Sequence, residues 1–152
     1  MKQIASRDNA QFKHLLKLAQ SSRERKKSQQ TLIEGAHLVQ TYCEAVGLPQ
    51  ALIVSKSGAE NTEIISLIKH RVSLTPIVLS DAMFHELSTL DAPVGVAALI
   101  ATPAQKQVPA DMESCAVLED IQDPGNLGSI LRSAAAARIK HVVLSKGCVF
   151  AW

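Results

Sequence analysis

Aromatic side chains are scarce in this chain: Trp152, Tyr42 and three phenylalanines make up 3% of its 152 residues. Surfaces that read bases by stacking are built on such rings, so that mode of recognition fits poorly. Cysteine is scarce as well. Cys43, Cys115 and Cys148 are odd in number and far apart, and match neither a zinc spacing nor a disulfide framework. His14, His37, His70, His85 and His141 are equally scattered, so no metal is expected. No apolar run approaches the ~20 residues of a membrane-spanning helix. The opening "MKQIASRDNAQFK" lacks the apolar stretch of a signal peptide. No membrane partner and a cytoplasmic location are the resulting expectations. Repeats and low-complexity tracts are missing too, apart from four alanines at 134–137.

What is present is ordinary in bulk and uneven in distribution. Apolar content of 47% and charged content of 20% suit a globular protein of one domain or two small ones. Residues 1–30 carry Lys2, Arg7, Lys13, Lys17, Arg23, Arg25, Lys26 and Lys27 against Asp8 and Glu24, a local charge of +6. Since the whole chain sums to +2, the other 122 residues sum to −4. A basic segment on a mildly acidic body points to a polyanionic partner, its cations displacing counterions from phosphates. A solvated helix with a charged loop is the alternative.

Along the chain, Asn9 is placed to cap a helix reaching about Gln20, with Phe12, Leu15, Leu16 and Ala19 as its apolar stripe. Lys13 and Lys17 share its other side. "SSRERKKSQQ" reads as a polar, turn-prone and flexible stretch. From 31 to 101, the runs "TLIE", "ALIVS", "PIVLS" and "VGVAALIA" read as strands. Between them, Leu38, Val39, Tyr42, Cys43 and Val46 mark a helix with one buried face. Ile64, Ile65 and Ile68 mark a second, and Met83, Phe84 and Leu87 a short third. Alternation of strand and helix predicts an α/β layer sandwich over 31–101, preceded by a basic helical arm and loop at 1–30. "TPAQKQVPADME", 102–113, reads as a linker. A second α/β unit follows at 114–152: strand "CAVLED", a turn, a helix from Leu127 and strand "HVVLS", a right-handed βαβ unit with parallel strands.

The turn in that second unit carries the chemistry. Asp123, Pro124 and Gly125 make it tight, and Asn126 is read as the cap of the next helix. Leu127, Ile130, Leu131, Ala134 and Ala137 form the packing stripe. Arg132 falls off the stripe and shares a face with Gly128, among Ser129, Ser133 and Ala136. A permanently charged planar fork above a helix start, at the carboxyl end of a parallel strand, makes a plausible anion site. An exposed arginine in a surface salt bridge, with glycines serving only the turn, is the alternative. No Gly-Lys-Ser/Thr or Gly-x-Gly-x-x-Gly is present, which excludes the common nucleotide fingerprints.

"LEDIQDPGNLGSILRSAAAA" resembles the first motif of the SpoU-type (TrmH-like) RNA ribose methyltransferases, Asn-x-Gly-x-x-x-Arg. Asn126, Gly128 and Arg132 fill it in register. "SRDNAQFKHLLKL", the basic loop, "TLIEGAHLV" and "APVGVAALI" resemble that family's N-terminal substrate-binding domain. The resemblance implies an α/β fold: a small sandwich like the ribosomal kink-turn-binding proteins, then the incomplete βαβ start of a knotted SPOUT domain. It implies 2′-O-methylation of ribosomal or transfer RNA with S-adenosylmethionine, in a homodimer. Arg132 then matches the catalytic arginine, which engages RNA phosphate and helps activate the ribose hydroxyl, and Asn126 supports the geometry, with Gly125 and Gly128 in the turn. Arg23, Arg25, Lys26 and Lys27 are the candidate RNA contacts. Glu34, before Gly35, has two readings: interaction with the next helix's N-terminus, or a role near RNA.

Two departures carry expectations. The family's later cofactor motifs do not follow before "KGCVFAW". These residues are therefore expected not to bind S-adenosylmethionine or to catalyse, which leaves a non-enzymatic RNA-binding module as the alternative. Two strands and one helix cannot close a core, so 114–152 is expected to fray, pack back or pair with another copy. In "AAAARIK", Arg138 stands where related sequences carry glycine, at a cost of about 1 kcal/mol if the helix ends left-handed there.

Overall fold

Side chains alternate across a strand, so a run apolar at every position must have both faces covered. That is the case in "ALIV" (51–54) and "VAALIA" (96–101). Ile53, Ala97 and Leu99 fall in one buried cluster, while Leu52, Val54, Val96 and Ala98 fall in another. The computed structural model describes residues 2–70, 72, 74–104 and 114–152 and divides the chain into two compact units, Met1–Thr102 and Pro103–Trp152. In the first unit the order is β1 (Lys2–Ile4), α1 (Ala10–Gln20), α2 (Ser22–Ser28), β2 (Gln30–Glu34), α3 (Ala36–Ala45) and β3 (Ala51–Ser55). A 3₁₀ turn (Gly58–Glu60), α4 (Thr62–His70), β4 (Ile77–Leu79), α5 (Asp81–Leu87) and β5 (Val96–Ala101) complete it.

The strands form one mixed sheet in the order β1-β4-β3-β5-β2. β1 and β3 run parallel to β4, whereas β5 is antiparallel to both β3 and β2. Helices α1 and α5 cover one face through Phe12, Leu15, Leu18, Met83, Phe84 and Leu87. Helices α3 and α4 cover the other through Ala36, Val39, Ile64 and Leu67. This is the α/β sandwich the sequence predicts. Residues 1–30 are part of it, supplying an edge strand and a covering helix.

Two local readings are corrected, and one strand is added. "SSRERKKSQQ" is largely helical, not a flexible turn. Ser21 and Glu24 occupy the positions of a capping box, and the Ser21 hydroxyl oxygen accepts from the Glu24 amide at 3.3 Å. Gln29 closes the helix with φ 54°. Leu38 in α3 and Val46 at its C-cap are not on the buried face: they are 49% and 70% exposed. The buried stripe runs instead through Ala36 and Val39. β1 was not read from the sequence at all, because three residues are too few to show alternation.

The second unit contains β6 (Cys115–Leu118), α6 (Pro124–Ala136) and β7 (His141–Leu144), with β6 and β7 parallel as expected. Parallel partners share a face, so Ala116, Leu118, Val142 and Leu144 lie together, and Val117 pairs with Val143 on the opposite side. Val117 is 68% exposed. Leu127 and Ala134 are the buried residues of α6, whereas Leu131 and Ala137 of the expected stripe are exposed. Most of the expected linker, residues 105–113, lies outside the described residues. Thr102 does not belong to it: Thr102 is buried, and its amide donates to the Gln29 carbonyl at 2.9 Å.

Helix α6 ends as the Arg138 substitution foreshadowed. Arg138 has φ 60°; its amide donates to the Ala135 carbonyl at 3.0 Å, and the Ile139 amide donates to Ala134 at 2.9 Å. That is a Schellman closure with a side chain where glycine is favoured. Arg138→Gly is expected to stabilise this end by about 1 kcal/mol and slow exchange of the Ile139 amide roughly fivefold. Unchanged or faster exchange counts against it.

Candidate functional site

The helix bearing the Asn-x-Gly-x-x-x-Arg pattern begins three residues earlier than the Asn126 cap predicts. Asp123 is the N-cap, its Oδ1 accepting from the Asn126 amide at 2.6 Å, and Pro124 follows at the first helical position. Proline is favoured there because its missing N–H would have no intrahelical partner. Asp-Pro-Gly is therefore a helix start as well as a turn. A Cβ on Gly125 would stand 3.1 Å from the capping carboxylate, so glycine gives that cap its room.

Arg132 is exposed, and its Nη2 donates to Ser129 Oγ at 3.2 Å, one turn back toward the helix start. It pairs with no carboxylate among the described residues. The space above Gly128 is open, with nothing within 4 Å of where a Cβ would sit. Among the described residues the guanidinium thus has no carboxylate partner and stands one turn above the open space at Gly128, itself a little over one turn from the helix start at Pro124. Asn126 is exposed on the first turn, its amide held by Asp123.

Beside the motif, the loops leaving β6 and β7 form an open groove lined by Glu119, Asp120, Ser145, Lys146 and Gly147. The Ser145 amide donates to the Leu118 carbonyl at 3.0 Å and the Val149 amide to Ile121 at 2.7 Å, tying the two loops together. Asp120 adopts φ 56°, and a Cβ on Gly147 would meet its Oδ1 at 3.0 Å. Sequence reasoning missed these groove residues. Nothing local marks Asp120 as left-handed, and Lys146 is one charge among many.

The first unit divides the candidate RNA contacts into two places. Arg23, Lys26 and Lys27 stand exposed on α2 at positions i, i+3 and i+4, which is one helical face. Arg25 is not with them. It is half-buried and donates through Nη1 to the carbonyls of Leu18 at 2.8 Å and Ala19 at 3.4 Å. Glu34 ends β2, whose first residue adjoins α2, so it lies roughly 13 Å along the strand from that helix. Its Oε1 accepts from the Ser88 hydroxyl at 2.6 Å, which binds the end of α5 to β2. Gly35, at φ 101°, lets the chain turn directly into α3. At the same sheet edge Asp81 accepts from the Ser57 hydroxyl at 2.7 Å and its amide at 3.0 Å, and these bonds hold its carboxyl below the usual range.

A three-layer α/β unit followed by a βαβ unit with an arginine-bearing motif defines a class, and comparison with known proteins identifies it. Residues 9–98 match the MRM3-like substrate binding domain. The chain belongs to that family, and the SpoU-type resemblance extends along its length. It is 33% identical over 147 residues to the Bacillus subtilis 23S rRNA (guanosine(2553)-2′-O)-methyltransferase RlmP, covering 97% of this chain and 56% of that protein. It is 31% identical over 135 residues to human mitochondrial rRNA methyltransferase 3, covering 84% of this chain and 31% of the relative. A crystal structure of an RNA 2′-O ribose methyltransferase superposes with a TM-score of 0.74 at 29% identity, over 95% of this chain and 56% of that one. The SpoU methyltransferase AviRb of Streptomyces viridochromogenes, solved in complex with AdoMet, shares the fold at a TM-score of 0.77 and 19% identity, over 93% and 55% of the two chains. The chain thus spans about half the length of the bacterial relative, and less of the human one.

Proposed function

We propose that this chain carries the RNA-holding unit and the arginine-bearing half of the methylation site of an rRNA 2′-O-ribose methyltransferase. The observation that carries the reading is Arg132: an exposed guanidinium with no carboxylate partner among the described residues, one turn above the open space at Gly128. A ribose hydroxyl is a poor nucleophile, and as it attacks, negative charge grows on its oxygen. A fixed cation beside that oxygen stabilises the charge, and a planar fork also grips the neighbouring phosphate. Ser129 restrains the side chain through its hydroxyl. The basic face of α2 holds the RNA by its backbone, which suits a chain so poor in aromatic residues.

S-adenosylmethionine is the methyl donor this family membership implies, and it supplies an electrophilic methyl group. The groove beside the motif does not fit it. Its lining is two carboxylates, an ammonium, a serine and a glycine, whereas an adenosine site needs apolar walls. We therefore read these 152 residues by themselves as binding RNA and not the donor. The same misfit supports a second reading, in which they act as a non-enzymatic RNA-binding module.

Two measurements test the proposal. Titration calorimetry with S-adenosylmethionine is expected to show no binding to these residues; a stoichiometric isotherm overturns the misfit. Anisotropy titration of a labelled stem-loop RNA is expected to show affinity falling steeply with salt. Neutralising Arg23, Lys26 and Lys27 together lowers the log–log slope by roughly 2 to 3. A slope the triple variant leaves unchanged counts against the α2 face.

A further inference from the structure

The basic face of α2 is only as useful as it is rigid, and seven residues are too few to hold a helix in water unaided. The helix is instead stapled. Ser21 caps its start, the Ser28 hydroxyl bonds back to the Glu24 carbonyl at 2.7 Å, and Arg25 reaches out of it to α1. Two residues on from Arg23, Arg25 points roughly 200° around the axis, away from the face carrying Arg23, Lys26 and Lys27. Its two acceptors, the carbonyls of Leu18 and Ala19, lie in the last turn of α1, where intrahelical donors run out. That turn is also the negative end of the α1 dipole, which favours a cation.

We propose that Arg25 is a positioning residue: it docks α2 onto the carboxyl end of α1 and so presents Arg23, Lys26 and Lys27 as one preordered, phosphate-spaced face. The inference rests on the RNA-binding reading of that face. It removes Arg25 from the phosphate contacts and gives it a structural role instead. Both bonds leave the one nitrogen Nη1, so the ammonium of a lysine, with the same charge and three donors, can replace part of them.

The distinguishing quantity is the salt slope of RNA binding, measured on the full chain with a labelled stem-loop RNA. Loss of one phosphate contact lowers the slope by about 0.9. Arg25→Met removes one charge and keeps the apolar stem, yet is expected to lower the slope by roughly twice that or more, because three contacts lose their alignment together. Arg25→Lys is expected to recover part of the loss. Ser21→Ala changes no charge at all. By loosening the other end of α2 it too is expected to lower the slope, and it stands in if Arg25→Met fails to fold. Hydrogen exchange of α2 amides, with β3 amides as the internal control, is expected to speed up about tenfold in both variants. Unchanged α2 protection, or a slope that falls by one contact for Arg25→Met and by nothing for Ser21→Ala, overturns the proposal. If instead the triple neutralisation leaves the slope intact while α2 exchange still accelerates, the RNA-binding reading fails and the docking role of Arg25 stands.

Discussion

Arg132→Ala is expected to cut methyl transfer about 10²–10³-fold, the usual loss when one preorganised donor to a developing oxyanion is removed. Because these 152 residues correspond to 56% of the B. subtilis relative, the assay joins them in frame to that relative's remaining segment and follows transfer of a labelled methyl group to ribosomal RNA. Affinity for RNA is expected to fall no further than one lost phosphate contact explains, so the defect appears in turnover. Arg132→Lys restores the charge without the planar fork and recovers only part of the rate. Ser129→Ala frees the guanidinium from its 3.2 Å bond and is expected to cost far less, since that bond restrains the side chain and supplies none of its charge. Transfer by the alanine variant within a few-fold of the parent rules out Arg132 as a catalytic group.

The motif and the sheet were legible in the sequence for the same reason: each rests on short-range pattern. Strands β3 and β5 are apolar at nearly every position because both faces are covered, and a run such as "ALIVS" admits few other readings. Asn126, Gly128 and Arg132 lie on one helix, so their spacing is already their geometry. What escaped depends on distant parts of the chain. Arg25 looked like its three basic neighbours until the end of α1 came within 2.8 Å of it. Glu34 suggested a helix N-terminus or RNA, and its partner is Ser88, 54 residues away. Leu38 and Val46 fit an apolar period that the sheet does not meet. The α2 helix is the instructive miss, since Ser-Ser-Arg-Glu is a capping box by local rules and was outweighed by its polar composition.

The second large effect is expected in local stability. Among the described residues, the bulkiest completely buried side chains, from Phe12 to Val96, all belong to the first unit. Each such side chain contributes about 1.5–3 kcal/mol on burial, so the β3–β5 centre should open only by global unfolding. Among its described residues the second unit has Leu127 and Ala134 as its buried apolar side chains, two four-residue strands, and Val117 left 68% exposed. A two-stranded pair with one bare face is marginal in water. Amides of β6 and β7 are therefore expected to exchange at least about 10³-fold faster than those of β3 and β5 in dilute solution. If the bare face pairs with a second copy, that protection rises with protein concentration and Val117→Lys abolishes the rise, because a charge at the centre of an apolar contact is costly to desolvate. A dilute monomer whose β6 and β7 amides match those of β3 contradicts the prediction and shows the second unit to be sufficient on its own.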